Sequence, residues 1–368
     1  MPKRRPAKKR SPAAAVLLAV LCLLLLAVSR YLDSRSEPAA SVSAPEAAQA
    51  DAPNLEVHFL DIGQGDSALL FCGDETLLID GGKVKNNQKL IARLKELEVD
   101  HLDAVICSHP DEDHCGGLSA VLASTRTDAF YCSVDSWHTK VFSDVTKYVE
   151  QQGISVTIPQ AGDTFAFSDA SVEFLGPVVD YGDDPNEGSL VARVRYGETS
   201  FLFTGDMGFE AEDDMLAAGV DVSATVLKVA HHGSAGSSST EFLQAVHPQY
   251  AVISVGADND YGHPTEAALN RLSACGIPVY RTDLLGEIIA VSDGKTVTIT
   301  SASNEAPPAS DAASQTTGSY GYVGNSSSKV VHLAGCGKLT GESNRVYFAS
   351  LDEALAAGYR KHANCLGN

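Results

Sequence analysis

The chain has 368 residues, enough for one large domain with appendages or for two domains, and its 44% apolar content supports a sizeable core. Its formal net charge is −20, although the first ten residues carry six basic side chains and no acidic one. So acidic a body repels polyanions at long range, which excludes a broad basic surface for nucleic acid and leaves metal ions or a local patch to hold one.

In chain order, residues 1–12 form a basic N-terminus expected on the cytoplasmic side of a membrane. Residues 13–29 follow as a transmembrane signal anchor or a signal peptide. The uncharged run Ala13–Val28 reaches roughly 24 Å as a helix, slightly short of a full span, and Ala27-Val28-Ser29 offers a small-x-small cleavage site. Either alternative exports the body. Residues 30–54, rich in Ala, Ser, Pro and Glu without apolar period, read as a disordered linker.

The main domain is expected over 55–301, where strand and helix signals alternate. Ala68–Cys72 and Thr76–Ile79 flank Gly73-Asp74-Glu75 and predict a hairpin. Leu90, Ile91, Leu94 and Leu97 predict a helix over 86–97, and Ala104–Cys107 a buried strand. Helical spacing follows at 118–122. A second hairpin is expected around Tyr196-Gly197-Glu198. Ala224–Val229 and Ala251–Val255 read as strands, 265–272 as a helix, and the stretches near Val279 and over 287–291 as strands. The mixture predicts an α/β layered domain. A second linker, 302–320, leads to a small module over 321–368. Of the eight cysteines, Cys72, Cys107, Cys115, Cys132 and Cys275 are dispersed through the main domain and read more readily as small buried hydrophobes than as a disulfide framework.

Polar residues recur immediately after apolar strands. Asp80 follows Leu77-Leu78-Ile79, His109 follows Ala104–Cys107, Asp206 follows Phe201–Gly205, and His231 follows Val226–Ala230. Strand ends on one edge of a sheet are where loops converge to form sites, so four such residues together predict a metal centre. In "SHPDEDHCGG" (108–117), His109 and Asp111 can turn toward one metal while Asp113 and His114 reach a second. Imidazole and carboxylate suit zinc, manganese or iron. Asp206 has two oxygens and can bridge the ions; His231, or its neighbour His232, can complete the second. Two ions about 3.5–4 Å apart can clamp the attacking and leaving oxygens of a phosphoester around a shared hydroxide. Glu112 is expected to face solvent.

The ordered motifs "HFLDIGQGDSALL", "LLIDGG", "SHPDEDHCGG", "SLVARVRYGETSFLFTGD", "VLKVAHHGS" and "YGHPT" resemble the metallo-β-lactamase-fold proteins, and in detail the ComEC-type branch, the extracellular hydrolase domain associated with DNA-uptake (competence) proteins. The resemblance covers about residues 56–300. It implies an αββα four-layer sandwich and a dinuclear centre of two divalent ions with phosphodiesterase or nuclease-like activity. It also implies His109, Asp111, Asp113, His114, Asp206 and His231 as metal ligands. Asp80 matches an aspartate that braces the metal loop, with His232 and Asp66 in supporting places. Asp113 and His263 are the candidate catalytic residues, His263 as general acid or phosphate contact or as a loop cap. Where many such proteins carry a second histidine, this chain has Asp111. A further histidine expected near 186–189 has no counterpart, which weakens the bias toward Zn²⁺ and makes Mn²⁺ credible. Lys228 reads as a snorkelled strand-end lysine or a phosphate contact.

The tail, with "VVHLAGCGKL" and "KHANC", resembles the small Ada-type zinc module, except that His362-Ala363-Asn364-Cys365 stands where that family has Cys-x-x-Cys. His332, Cys336, His362 and Cys365 form a candidate structural zinc set, with a Cys336–Cys365 disulfide as the alternative. These readings predict an exported phosphodiesterase or nuclease, single-pass in the cell membrane or secreted, with extracellular DNA as candidate substrate. The alternatives are a hydrolase of another ester or cyclic nucleotide, and a non-catalytic DNA- or wall-binding accessory protein.

Overall fold

The computed structural model describes residues 54–257, 259–303, 322–333, 345–348 and 351–362. The basic N-terminus, the apolar run of 13–29 and most of both linkers lie outside them, as do Cys336 and Cys365. No helix among the described residues is long and apolar enough to cross a membrane.

The strands of the main domain are β1 (Leu55–Phe59), β2 (Ala68–Cys72), β3 (Glu75–Ile79), β4 (His101–Cys107), β5 (Arg126–Cys132), β6 (Val156–Thr157), β7 (Thr164–Phe167), β8 (Ala170–Gly176), β9 (Val191–Tyr196), β10 (Thr199–Phe203), β11 (Val226–Lys228), β12 (Tyr250–Ile253), β13 (Val279–Arg281), β14 (Ile288–Ser292) and β15 (Val297–Ser301). They form one sheet in the order β15-β14-β1-β2-β3-β4-β5-β6 and another in the order β13-β12-β11-β10-β9-β8-β7. Pairing is parallel for β3–β4–β5–β6 and for β10–β11–β12–β13, and antiparallel elsewhere in both sheets.

Alternation of side chains assigns each strand to two layers at once. In β3, Leu77 and Ile79 enter the core between the sheets while Leu78 packs outward; in β10, Phe201 and Phe203 go inward and Leu202 outward. The outer face of the first sheet is covered by α1 (Asn87–Glu96), α3 (Leu118–Ser124) and α4 (Lys140–Gln151), with the one-turn α2 (Glu112–Cys115) just before α3. The outer face of the second is covered by α5 (Phe209–Ala217), α6 (Thr240–Val246) and α7 (Glu266–Ala274). The layers are therefore helix, sheet, sheet, helix, and the interior core is apolar from both sheets. Burial on both faces is why β3, β10 and β11 read as continuous apolar runs.

Both expected hairpins form, β2–β3 and β9–β10. β4 begins three residues before its apolar run, because Leu102 is buried between the polar His101 and Asp103 and extends the pairing with β5. His138 lies just before α4, where the Thr139 side chain caps the helix by accepting the Phe142 N–H at 3.3 Å. Cys72, Cys107, Cys115 and Cys132 are buried free thiols. In the C-terminal region, β16 (Tyr322–Asn325), β17 (Val330–Leu333), β18 (Arg345–Phe348) and β19 (Arg360–Lys361) make a small sheet in the order β18-β16-β17-β19 around Val331, Phe348, Ala354 and Tyr359.

Two glycine pairs lock the loops after β3 and β4 together. The Gly117 N–H donates to Gly82 O at 2.8 Å and the Gly81 N–H to His114 O at 2.7 Å. A Cβ on Gly117 would fall 2.0 Å from Gly81 O, a backbone atom that cannot swing aside. Gly117→Ala is therefore expected to cost about 1–3 kcal/mol or more, lowering the urea midpoint without changing the slope of the transition. A midpoint equal to that of the parent chain would contradict this packing.

Candidate metal centre

Four parallel strands, two from each sheet, end at one place. β3 and β4 are neighbours in the first sheet and release Asp80 and His109; β10 and β11 are neighbours in the second and release Asp206 and His231-His232. The loop 108–117 lies between the two pairs. A turn from the β1–β2 connection closes over it: Gly65, at φ +131°, lets the chain pass so near that a Cβ there would sit 2.4 Å from Asp113 O. The next residue, Asp66, donates its N–H to that same carbonyl at 3.0 Å.

Hydrogen bonds assign the histidine tautomers. Asp80 accepts the Ser108 N–H at 2.7 Å and the Ser108 Oγ–H at 2.8 Å, and its Oδ2 lies 2.8 Å from His114 Nδ1. A carboxylate only accepts, so His114 Nδ1 carries a proton. With its own proton on Asp80, Ser108 Oγ accepts from His109 Nδ1 at 3.0 Å. His232 Nδ1 lies 2.9 Å from Ser254 O, a carbonyl that can only accept. All three rings therefore turn Nε2 into the centre, and all three Nε2 atoms are buried without a hydrogen-bond partner, as are Asp206 Oδ1 and Asp66 Oδ1. Ring nitrogens fixed from behind and bare in front are the arrangement of metal-binding imidazoles. The donor set, nitrogen and carboxylate oxygen, fits divalent zinc or manganese.

Asp66, His114, Asp206 and His232 each offer an atom within 4.8 Å of the others'. His114 Nε2 stands 3.0 Å from Asp206 Oδ1, and His232 Nε2 3.7 Å from Oδ2 of both Asp206 and Asp113. The His109 ring lies beside this group, 4.1 Å from the His114 ring, with Asp111 Oδ2 at 3.9 Å from its Nε2. Asp111 is partly open to solvent, and Glu112 is exposed. Ser189, in the stretch 186–189, accepts the Asp206 N–H on its Oγ at 3.1 Å.

The charges express a demand for cations. Burial opposes charge on His114 and His232, yet Asp206 leads the carboxylates that outweigh it, holding His114 well above its usual pKa and His232 up at about 9. His109 is pushed down to about 3 by burial and by His114, and His263 to about 4 by burial and by His232, so both are neutral at pH 7.

The structure separates two adjacent histidines that the sequence leaves equivalent. Both have left-handed backbone, φ 52° for His231 and 53° for His232. His232 is 1% exposed and points inward; His231 is 31% exposed at the side chain, with Nε2 3.6 Å from Asp206 Oδ2. The loop that follows is tied down from behind, where Glu212 accepts the Ser238 and Ser239 N–H groups and Arg271 donates to Ser237 O and Ser238 O. Asp66 lies deeper than a supporting turn residue would, with Oδ1 3.1 Å from His232 Nδ1. Lys228 neither snorkels nor faces the cleft; it is 3% exposed and pairs with Asp66 at 2.6 Å, because the inward face of β11 offers it no route to water. Lys228 and Asp66 are the partners hardest to find from sequence, and the lone signal is a lysine inside an apolar strand. His332 and His362 stack at 4.1 Å in the C-terminal module.

Residues 60–257 match the Metallo-beta-lactamase superfamily. The chain belongs to that superfamily. Among curated relatives it is 31% identical over 251 residues to ComE operon protein 3 of Bacillus subtilis, covering 63% of this chain and 32% of the relative. It is 33% identical over 285 residues to competence protein ComA of Neisseria gonorrhoeae, covering 76% and 38%. It is 30% identical over 249 residues to recombination protein 2 of Haemophilus influenzae, covering 65% and 29%. The chain thus spans about a third of the length of these relatives.

As a metallo-β-lactamase-fold centre, this one yields two expectations. Asp80→Asn places an amide N–H against donors and releases His114, so divalent-metal affinity should fall about 10- to 100-fold in a chelator competition titration. Proton and metal also compete for the Nε2 atoms of His114 and His232. Because both pKa values are raised, affinity should climb as pH rises from 6.5 toward about 9, with protons released on binding. Calorimetric titration in buffers of different ionisation enthalpy measures that release, and an affinity flat over this range would contradict it.

Proposed function

We propose that the chain is an exported, metal-dependent hydrolase of phosphodiesters, with extracellular DNA as first candidate substrate. The observation that carries the reading is the convergence of three bare imidazole Nε2 atoms with Asp206 at the ends of strands from both sheets. His109 and Asp111 would hold one divalent ion, Asp113, His114 and His232 or His231 the other, and Asp206 would lie between them. When bound, two such ions, zinc or manganese, supply positive charge to phosphate oxygens and lower the pKa of water.

The chain's own residues do the rest. Asp80 keeps protons on Nδ1 of His114 and, through Ser108, of His109, so that Nε2 stays available. Lys228 balances Asp66, whose Oδ1 lies 3.1 Å from His232 Nδ1, while Ser254 O fixes that ring. His263 lies across the opening, its ring 5.6 Å from that of His231, with Nδ1 buried and unpartnered. Neutral, it can donate one hydrogen bond to a phosphate oxygen or accept a proton from water, and in this reading it positions the phosphodiester.

The relatives' names, competence protein and recombination protein, support DNA as substrate, while their greater length keeps their whole activity from being carried over. The basic-then-apolar N-terminus supports export and membrane attachment. In the same reading His332 and His362, with Cys336 and Cys365, hold a structural zinc ion, the disulfide being the alternative.

The test is hydrolysis by the full chain with Mn²⁺ or Zn²⁺ of single- and double-stranded DNA beside bis-p-nitrophenyl phosphate. We expect cleavage that chelation abolishes and that falls to background in Asp206→Ala. Turnover of the small ester alone would favour another ester substrate. Metal binding without turnover of any phosphodiester would overturn the enzymatic reading in favour of an accessory protein.

A further inference from the structure

The rim of the centre carries an aromatic ring and a cation that the ligand set does not use. Tyr261 sits in the loop after β12 and is 59% exposed. The loop that presents it is built rather than slack. Asn259 Nδ2 donates to Gly256 O at 2.9 Å and to His263 O at 2.6 Å, and its Oδ1 accepts the N–H groups of Tyr261 at 3.1 Å and His263 at 2.9 Å. Gly256 N–H in turn donates to Gln64 Oε1 at 3.2 Å, which ties the loop to the turn that covers the metal loop.

From the ring inward, the contacts run without a break to the centre. The Tyr261 and His263 rings lie within 23° of parallel, 5.7 Å between centroids. Lys83 Nζ donates to Tyr261 Oη at 3.2 Å, lies 4.9 Å from the ring centroid and stands 3.8 Å from Asp113 Oδ2. Among the described residues, Lys83 and Lys228 are the lysine or arginine side chains paired with a carboxylate of the centre, and Lys228 is buried on Asp66. Lys83 is thus the ammonium at the opening. Next in the chain, a Cβ on Gly262 would meet no atom within 4 Å, so the loop is uncovered at that residue.

An aromatic face next to a single cation, at the mouth of a phosphodiester site, matches one nucleotide: base on ring, phosphate on ammonium. We propose that Tyr261 is a base-stacking platform and Lys83 a phosphate contact, and that the pair selects single-stranded nucleic acid. The inference rests on the phosphodiesterase reading above. A base can lie on Tyr261 only when its face is free, as in a single strand and not in a duplex. Charge points the same way. A chain of net charge −20 with one rim lysine disfavours a duplex, with a charge about every 1.7 Å of axis, more than a single strand whose bases contribute to binding. Stacking needs no particular base, so the pair selects strandedness and not sequence.

Fluorescence anisotropy of the full chain tests this with three labelled, phosphorothioate-linked probes of one length: oligothymidylate, an abasic strand and a duplex. The parent chain should bind oligothymidylate about tenfold more tightly than the abasic strand. Tyr261→Ala should remove that difference and leave abasic binding unchanged, while Tyr261→Phe keeps it. Lys83→Met should weaken oligothymidylate and abasic strands alike and reduce the salt slope by about 1. Equal binding of oligothymidylate and abasic strand by the parent chain, a preference for duplex, or no effect of Tyr261→Ala would overturn the proposal. Hydrolysis without dependence on Tyr261 would sink this inference alone. Base-dependent binding without any hydrolysis would sink the enzymatic reading alone.

Discussion

The grip of one buried carboxylate decides whether the centre exists. Asp80 sits at the end of β3 with φ +59°, a conformation that costs a non-glycine residue on the order of 1–3 kcal/mol and persists only when its surroundings demand it. Three donors converge on it, two from Ser108 and one from His114. Through the Ser108 hydroxyl the constraint reaches His109 as well. One residue thereby sets the tautomers of two histidines and aligns the loop after β4 with the loop after β3. The parallel pairing of β3 with β4, and the close glycine backbones beyond it, leave that alignment little room to slip.

Around this frame the charge is lopsided by design of the sequence. Asp66 is neutralised by Lys228 deep in the domain, but Asp80, Asp111, Asp113 and Asp206 face four histidines (His109, His114, His231 and His232) and one rim lysine. The imbalance holds His114 and His232 toward their charged forms. It draws divalent cations and repels anions. Under the proposed function, electrostatics favours cation first and phosphate second.

Much of this was legible in the sequence, for identifiable reasons. Strands buried on both faces leave continuous apolar runs, and the parallel edges of such sheets must release their polar residues at one end; Asp80, His109, Asp206 and the His231-His232 pair could be found that way. The choice between those two neighbours was not legible, since a left-handed backbone at both decides which ring points inward and no local pattern announces it. Nor was the depth of Asp66, which depends on Gly65 letting one loop pass against Asp113, a contact between segments almost fifty residues apart. Lys228 misled because lysines at strand ends ordinarily reach water, and here the facing sheet closes that path. Tyr261 drew no notice as a residue in a glycine-flanked loop; its meaning comes from Lys83, distant in sequence and adjacent in space.

The derivation of the ligand set from both sheets has a mechanical consequence. His109, Asp113 and His114 belong to one sheet's loops, Asp206 and His232 to the other's, and between the two sheets lies a non-directional apolar layer. An ion gripped by both acts as a rivet through that layer. Bound at a hundred times its dissociation constant, each ion would add about 2.7 kcal/mol to the packed state, a substantial share of a typical domain's total stability. The sandwich would then resist heat and proteases according to the metal supply of its surroundings, and starvation for metal would loosen the protein as it emptied the site.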